Sequence, residues 1–399
     1  QPAADKPSIA VLPFRNMSSD PEQSYLADGI SEEIAIELSR FRNLFVIASQ
    51  STRAFNGKLD DLRDVSRRLG ARYLVDGSVR KVDRQIRILA QLIDAENGNH
   101  VWADKFHRDA SEIHLVQDEL VRTIVSTIGG RVEVANKERS RSLNENELRA
   151  YDFYLRATAA EDGNTRADYE KALDLLSRAI EADPGMAQAY HHFSLVRYIQ
   201  WLAFWVDDRE VAFEEALALS TRAVALDPSS SGIQAHHGLL LSNRGDYEQA
   251  EHHLTRALDL NPNDSKAHAL YGFFQTAAGR PAEALRSFDL AMRLNPLQPN
   301  WINWLRGTAY FTARRYRDAI ISLSAIPLPM NEVRGWLAAA HAQDGDQARA
   351  SSYLRLFLDQ AKAEMVNPPP EKLSAWHPYW QGAIPYQSPA DFEHLLDGL

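Results

Sequence analysis

The pattern of apolar and polar residues in the first third of the chain predicts a small α/β domain. Residues 8–14 form a short apolar run, as in a buried strand, and residues 24–40 carry apolar side chains at helical spacing. Residues 73–82 and 85–94 alternate apolar and polar side chains on either side of Asp83-Arg84. This alternation predicts a β-hairpin.

The remaining elements of this region complete the order β-α-β-α-β-β-β-α. We predict strands at 44–48 and 100–106, a helix at 59–69 and a long helix from Ile113 to about Lys137. Such an order indicates a mixed sheet with helices packed on it. We therefore assign residues 1–140 to this domain and residues 141–150 to a linker.

The rest of the chain is periodic. Four apolar segments of similar sequence end at Pro184, Pro228, Pro262 and Pro296, and the last two intervals are 34 residues each. The first interval is 44 residues, which is one period with an insertion of ten. A fixed period of this length is the signature of stacked helical hairpins.

Small residues recur inside each period where two helices of a hairpin would cross. With the proline counted as position 32, position 8 is Gly238, Gly272 and Gly307. Position 20 is alanine in six units: Ala172, Ala216, Ala250, Ala284, Ala319 and Ala350. A larger side chain at these positions would push the helices apart. Position 15 is Gly245, Gly279 and Gly345, where a turn is needed.

These positions resemble the tetratricopeptide repeat (TPR). The resemblance implies a TPR array of about six hairpins over residues 151–366, in an all-α superhelix. Residues 367–399, which begin with a proline run and carry several aromatic residues, are expected to fold back over the last hairpin as a C-terminal cap. The predicted fold class is a small mixed-sheet α+β domain followed by this superhelix.

The resemblance also implies a groove lined by the first helix of each hairpin. Its aromatic and histidine positions are His191, Tyr198, Phe273, Trp301, Trp304 and Phe311. Aromatic side chains are frequent anchors in interfaces, so we expect a protein or peptide to bind there. The alternative is that these side chains pack on the tail or on neighbouring hairpins. The insertion near 201–205 extends the core, forms a lip over the groove, or makes a homodimer contact.

Composition narrows the chemistry. The net charge of −10 lies entirely in residues 142–399, with 23 Lys/Arg and 33 Asp/Glu, which argues against nucleic-acid binding. There is no cysteine. The adjacent histidines at 191–192, 236–237 and 252–253 diverge around a helix, so we predict no metal site and no cofactor. We find no catalytic set in the chain.

The N-terminal region also resembles a known family. The segments at 9–14, 25–34, 45–49, 71–81, 87–95 and 101–106 are similar to the TolB amino-terminal-like domain. That domain is found before TPR arrays in bacterial adenylate/guanylate cyclase-associated proteins and in CadC-like membrane regulators. That resemblance implies a parent protein with a cyclase or winged-helix output domain. The chain starts at Gln1 without a methionine, so we expect it to be a fragment.

These expectations combine into one functional hypothesis. We expect a non-catalytic sensory and protein-interaction region of a membrane-anchored signalling protein with a class III adenylate cyclase. The alternatives are a free-standing TPR scaffold for envelope proteins and the sensor of a winged-helix regulator. If the parent has one transmembrane helix, the region lies on the periplasmic face of the inner membrane; otherwise it is cytoplasmic.

Overall fold

The computed structural model describes residues 7–41, 44–55, 62–128, 144–163, 165–297, 300–327, 331–365 and 373–399. The chain forms two compact units. The first comprises residues 1–189 with the short segments 260–265 and 293–297, and the second comprises residues 190–259, 266–292 and 298–399. None of the helices in the described ranges is long and apolar enough to span a membrane.

The first unit is built on one mixed sheet. Its strands are β1 (Ser8–Val11), β2 (Arg15–Asn16), β3 (Phe45–Ile47), β4 (Tyr73–Val82), β5 (Gln85–Asp94) and β6 (Asn99–Asp109). The order is β3-β1-β4-β5-β6, and β2 also pairs with β4. β1 runs parallel to β3 and β4, whereas β4, β5 and β6 are antiparallel. The predicted hairpin is confirmed residue by residue, with Asp83 at a φ of 54° in its turn.

Helices cover both faces of the sheet. The helices are α1 (Ser24–Ser39), α2 (Ser49–Thr52), α3 (Leu62–Leu69), α4 (Ile113–Ile128), α5 (Glu145–Glu161) and α6 (Arg166–Ala182). Ile30 on α1 and Leu120 on α4 pack in one core with Ile9 of β1. Leu69 on α3 packs with Ala10 and Leu74 on the opposite face. Because β1 is buried on both faces, its sequence is a continuous run of apolar residues.

Two predicted boundaries are wrong. The predicted strand 8–14 ends at Val11, because Pro13 lacks the N–H that a ladder needs, and the chain resumes pairing as β2. Residues 145–150 of the predicted linker are helical. Asn144 caps α5 in a reciprocal box with Glu147, each side chain accepting a hydrogen bond from the other's backbone N–H at 3.0 and 2.8 Å. The parts of the linker and of the long helix at 129–143 lie outside the described residues.

α5 belongs to the core of the first unit rather than only to the repeats. Leu155 is 3% exposed and lies against Gly29 of α1, where an added Cβ would stand 2.5 Å from Leu155 Cδ2. The short later segments join the same unit. Asn263 donates to the backbone oxygens of Ser39 at 2.9 Å and Leu44 at 3.1 Å.

The helices that follow belong to the second unit, except for terminal residues of α7, α10, α11 and α12, which fall in the first unit. They are α7 (Ala187–Leu202), α8 (Arg209–Leu226), α9 (Ser231–Arg244), α10 (Tyr247–Leu260), α11 (Ser265–Ala277), α12 (Pro281–Leu294), α13 (Asn300–Thr312), α14 (Tyr316–Ser324), α15 (Asn331–Gln343), α16 (Gln347–Glu364), α17 (His377–Ala383) and α18 (Pro389–Asp397). From α5 to α16 the helices form six consecutive pairs. The predicted fold class, a small mixed-sheet domain followed by a TPR-type superhelix, is confirmed.

The pairs close as the spacing predicts. Gly238 on α9 and Gly272 on α11 face Leu254 and Phe288 on the second helices of their own pairs. Gly245 ends α9 at a φ of 94°, a left-handed conformation that glycine adopts without steric cost. Leu254 and Phe288 are fully buried. The repeat positions therefore serve the packing of each hairpin.

Candidate functional site

The first helices of the hairpins in the second unit are α7, α9, α11, α13 and α15. We call the face of these helices that carries the predicted binding positions the groove face. Six predicted residues lie on it: His191 and Tyr198 on α7, Phe273 on α11, and Trp301, Trp304 and Phe311 on α13. His191 and Trp301 are half-buried, whereas the other four are no more than 8% exposed. Most of this aromatic surface is thus already covered.

Part of the cover is supplied by the C-terminal segment 373–399, which we call the tail. Phe311 packs on Trp336 of α15 and on His394 of the tail, each with a ring-centroid separation of 5.3 Å. Tyr198 donates its hydroxyl proton to Asn243 Oδ1 at 3.4 Å, and Asn243 Nδ2 donates to the Gly382 oxygen at 3.1 Å. The tail therefore reaches well beyond the last hairpin.

An aromatic cluster fixes the start of the tail. Trp376, Tyr379 and Trp380 surround Phe357 of α16, with ring centroids 4.8, 5.5 and 5.4 Å away. Trp380 is 1% exposed and occupies the space over Gly335 of α15, where any side chain would collide with its ring. Glycine at this position is what allows the indole to enter.

Polar contacts hold the middle of the tail along the ends of the first helices. Gln387 N–H donates to the Ala277 oxygen at 2.9 Å, and the hydroxyls of Tyr386 and Thr312 are 2.5 Å apart. Burial raises the pKa of Tyr386 above its ordinary value, so this phenol stays protonated.

The end of the tail returns to the last hairpins. Arg314 Nη2 bonds Asp391 Oδ1 at 2.9 Å, and Tyr316 OH lies 3.0 Å from His394 Nε2. Gly398 approaches the backbone of Ala339 so closely that a Cβ would stand 2.9 Å from its Cα. Small residues on α15 thus accept the tail twice, at Gly335 and at Ala339.

The ten-residue insertion also meets the tail. Phe204 stacks on Tyr379 with centroids 4.9 Å apart, and it has a φ of 57°. The Arg209 guanidinium lies 3.7 Å from the Phe204 ring centroid and 4.8 Å from that of Trp201. Burial lowers the pKa of Arg209 to about 10. Arg209 Nη2 is buried and has no hydrogen-bond partner among the described residues.

The two adjacent histidines of α9 are buried packing residues with hydrogen-bond partners. His236 Nε2 is 2.9 Å from Ser194 Oγ, and His237 Nδ1 is 2.8 Å from Ser220 Oγ. Burial lowers the pKa of His236 to about 3 and that of His237 to about 4. Within the described ranges, no three His, Asp or Glu side chains are placed to hold a metal ion.

The first unit contains a separate cleft of about 290 Å³ between α1, the β4–β5 turn and α5. One polar residue of its lining, Asp152, is paired with two neighbours. Tyr25 donates to Asp152 Oδ1 at 2.5 Å, and Arg156 Nε lies 2.9 Å from Asp152 Oδ2. Burial and this contact raise the pKa of Tyr25 to about 12. Asp152 of α5 is therefore tied to α1 through Tyr25.

Two residues of the tail-covered surface could not be found from spacing. Gly335 is outside the repeat positions, and its role depends on Trp380, which lies 45 residues later in the chain. Arg314 stands at position 15 of its unit, where other units carry glycine, and it has a φ of 61°. The sequence features that could have indicated this surface are the arginine at a glycine position and the aromatic residues of the tail.

Family models match two parts of the chain. Residues 210–272 and 242–303 match a tetratricopeptide repeat family. Residues 4–123 match the family described as HilA/YgeH-like transcriptional regulator, second domain. The second part of the chain thus carries TPR repeats. The family matched at the N-terminus is not the TolB-like family that the sequence resemblance indicates.

One curated relative is substantially similar. A protein of Rhizobium meliloti (strain 1021), named "Putative adenylate cyclase 3", is 41% identical over 249 residues. The match covers 62% of this chain and 42% of that protein. The chain therefore spans less than half of the length of this relative.

Solved structures with a similar helical arrangement are distant. That of pilF from Pseudomonas aeruginosa is 21% identical, covers 54% of this chain and 91% of its own, and has a TM-score of 0.37. A tetratricopeptide repeat protein from Parabacteroides merdae is 14% identical, covers 71% and 91% of the two chains, and has a TM-score of 0.40. Likenesses this distant carry no information on function.

Proposed function

We propose that this chain is the non-catalytic sensory and protein-interaction region of a bacterial signalling protein whose output domain is a nucleotide cyclase. The observation that carries the proposal is the 249-residue similarity to a protein with a cyclase name. The TPR array supplies the interaction part, because stacked hairpins present an extended surface to a protein or peptide. Catalysis belongs, in this proposal, to a part of the parent beyond residues 1–399.

The test combines sequence and assay. Reading the gene upstream of the Gln1 codon is expected to show a class III cyclase domain in the same frame. The complete parent protein should convert ATP to cyclic AMP, whereas residues 1–399 alone should not. A parent without an output domain, or cyclase activity in residues 1–399 alone, would contradict the proposal.

A second candidate is favoured by a different observation. The match of residues 4–123 to the second domain of HilA/YgeH-like transcriptional regulators points to a DNA-binding output instead. The same upstream reading separates the two, because a winged-helix domain would replace the cyclase domain. In that case the parent should bind DNA in a mobility-shift assay and form no cyclic AMP.

A further inference from the structure

Two strained turns of the array are in contact with the tail. Among the described residues of the second unit, Phe204 and Arg314 are the non-glycine residues with positive φ, at 57° and 61°. This conformation is unfavourable for residues with a Cβ, and strain of this kind concentrates at functional sites. Phe204 stacks on Tyr379, and Arg314 bonds Asp391. Both turns therefore place a side chain on the tail at a cost to the backbone.

The surface under the tail also has the shape of a receptor. Gly335 leaves a niche that Trp380 fills, and Ala339 allows the backbone of Gly398 to approach. Gly335 is not required by the helix itself, since alanine is the better helix former. The atoms nearest to the missing side chain all belong to Trp380 of the segment that docks on α15.

The tail is nevertheless an imperfect occupant. Arg209 Nη2 and Trp336 Nε1 are buried without hydrogen-bond partners among the described residues. An added Cβ on Gly382 would lie 3.0 Å from Trp201 Cη2 and 3.2 Å from Arg209 Nη2, and the Trp336 ring packs on Trp380. A buried donor without a partner destabilises the docked state, because the same donor would bond to water when the tail undocks. A segment that offers an acceptor to Arg209 would therefore bind better than the tail.

The chemistry of the tail describes what the surface accepts. Residues 373–399 contain Asp391, Glu393 and Asp397 and no Lys or Arg. Their anchors are aromatic: Trp376, Tyr379, Trp380 and Tyr386. Among the described residues, Arg314 bonds Asp391 and Arg209 lies beside Gly382. Two cations of the receptor thus meet an acidic segment.

We propose that the groove face binds an acidic, aromatic-rich segment of a partner protein, and that the tail occupies it as a competing internal ligand. This rests on the proposed function and adds to it the chemistry of the partner and a mode of control. A carboxylate of the partner occupies the place beside Arg209 where the tail has Gly382. The partner gains access when the tail undocks.

A tethered competitor weakens binding in a measurable way. A short linker gives the tail an effective concentration in the millimolar range, so a tail with micromolar intrinsic affinity reduces the apparent affinity of a competitor on the order of 100-fold or more. The reduction disappears when the tether is cut. This difference isolates competition from simple structural capping.

The experiment uses the whole chain with a specific protease site inserted between residues 365 and 373. The probe is a labelled synthetic peptide with the sequence of residues 373–399. After cleavage, the peptide is expected to exchange into the groove, whereas the uncut chain should bind it about 100-fold more weakly. A cut chain that never exchanges its tail, or equal binding before and after the cut, would overturn the proposal. Neither result bears on the cyclase assay, which tests the proposed function separately.

Peptide variants test the chemistry. W380A in the peptide should weaken binding about 100-fold, because it removes the central anchor, whereas E393Q, at an exposed position, should bind as the natural sequence does. The peptide G382D should bind about tenfold more tightly than G382A, and this advantage should vanish on a chain carrying Arg209→Gln. Equal binding of W380A and the natural peptide, or an advantage of G382D that survives Arg209→Gln, would count against the assignment.

One substitution in the uncut chain separates receptor from scaffold. Gly335→Ala favours the helix but fills the niche of Trp380, so hydrogen exchange in residues 377–397 should become faster while the circular dichroism of the array is retained. Unchanged protection of the tail would show that the niche is not needed for docking. A loss of array helicity would show that Gly335 serves the hairpin instead, and either result would refute its role as a receptor residue.

Discussion

The middle hairpins and the last hairpin use small residues for different partners. In the third and fourth hairpins, Gly238 and Gly272 face Leu254 and Phe288, which lie 16 residues later on the second helix of the same pair. In the sixth hairpin, Gly335 faces Trp380, which lies beyond both helices of the pair. The same residue type closes a hairpin in one place and opens a niche for a separate segment in the other.

This difference separates packing from docking. The middle hairpins bury their aromatic and leucine side chains within the repeat, so their contacts form and break with the fold of the array. The tail follows residues 366–372 in the chain, and in the described residues it meets the array through side chains and a few backbone hydrogen bonds. Removal of a middle contact should therefore destabilise the array, whereas removal of a tail contact should release the tail first.

The largest expected effect is that of Phe288→Ala. This ring is fully buried between the helices of the fourth hairpin, and its removal leaves a cavity, so we expect a loss of about 3–5 kcal/mol in the free energy of unfolding. Urea denaturation followed by circular dichroism measures it. Trp380→Ala removes a ring that is almost as buried, at 1% exposure, but should leave the main unfolding transition of the array in place. Equal losses from the two variants would break the distinction between packing and docking.

The sequence predicts the contacts that are local along the chain. The period of 34 residues and the small residues at positions 8 and 20 locate the hairpins, because both helices of a pair are encoded within one period. The alternation around Asp83 fixes the strands of the hairpin for the same reason. The helix α5 begins inside the predicted linker. Asn144 and Glu147 stand at capping-box spacing and mark its start.

The contacts of the tail are not local and were not predictable from spacing. Asn243 and Gly382, which bond each other, are separated by 139 residues. The six candidate residues lie on the first helices of their pairs. Whether they are open or covered depends on a segment with no period of its own, and only tertiary structure reveals that cover.

Acid should destabilise the third hairpin, because it contains two buried histidines. His236 and His237 are buried and neutral in the folded chain, with pKa values lowered from 6.5 to about 3 and about 4. The unfolded chain takes up protons near pH 6.5 and the folded chain does not, so stability is constant above about pH 7 and falls as the pH drops below 6.5. At pH 5 the loss should be about 2 kcal/mol for each histidine.

Neighbouring histidines and an arginine also disfavour the protonated form of these two rings. The ring of His236 packs on His191 and Tyr198, and that of His237 packs on His253. The pKa of His236 is lowered further by the charges of His237 and His192, and that of His237 by the charges of His253 and Arg244. Thermal unfolding between pH 8 and pH 5 measures the slope. His237→Asn keeps an acceptor for Ser220 near the Nδ1 position and should remove its share of the slope. A slope that this variant leaves unchanged would place the acid sensitivity elsewhere.

The smallest expected effect is that of Arg314→Gly, which should stabilise the array and weaken docking of the tail. Arg314 has a φ of 61° at the turn position where Gly245, Gly279 and Gly345 stand in other hairpins. Arg314→Gly relieves this conformation and should raise the free energy of unfolding of the array by up to about 1 kcal/mol. The same change removes the ion pair with Asp391, which is partly exposed and should contribute under about 1 kcal/mol to docking of the tail. Hydrogen exchange of residues 389–397 should therefore become faster while the array becomes more stable. Arg314→Ala is the matched control, because it loses the ion pair and keeps the strained turn. If both variants lower the free energy of unfolding of the array equally, the left-handed conformation of Arg314 does not destabilise the array.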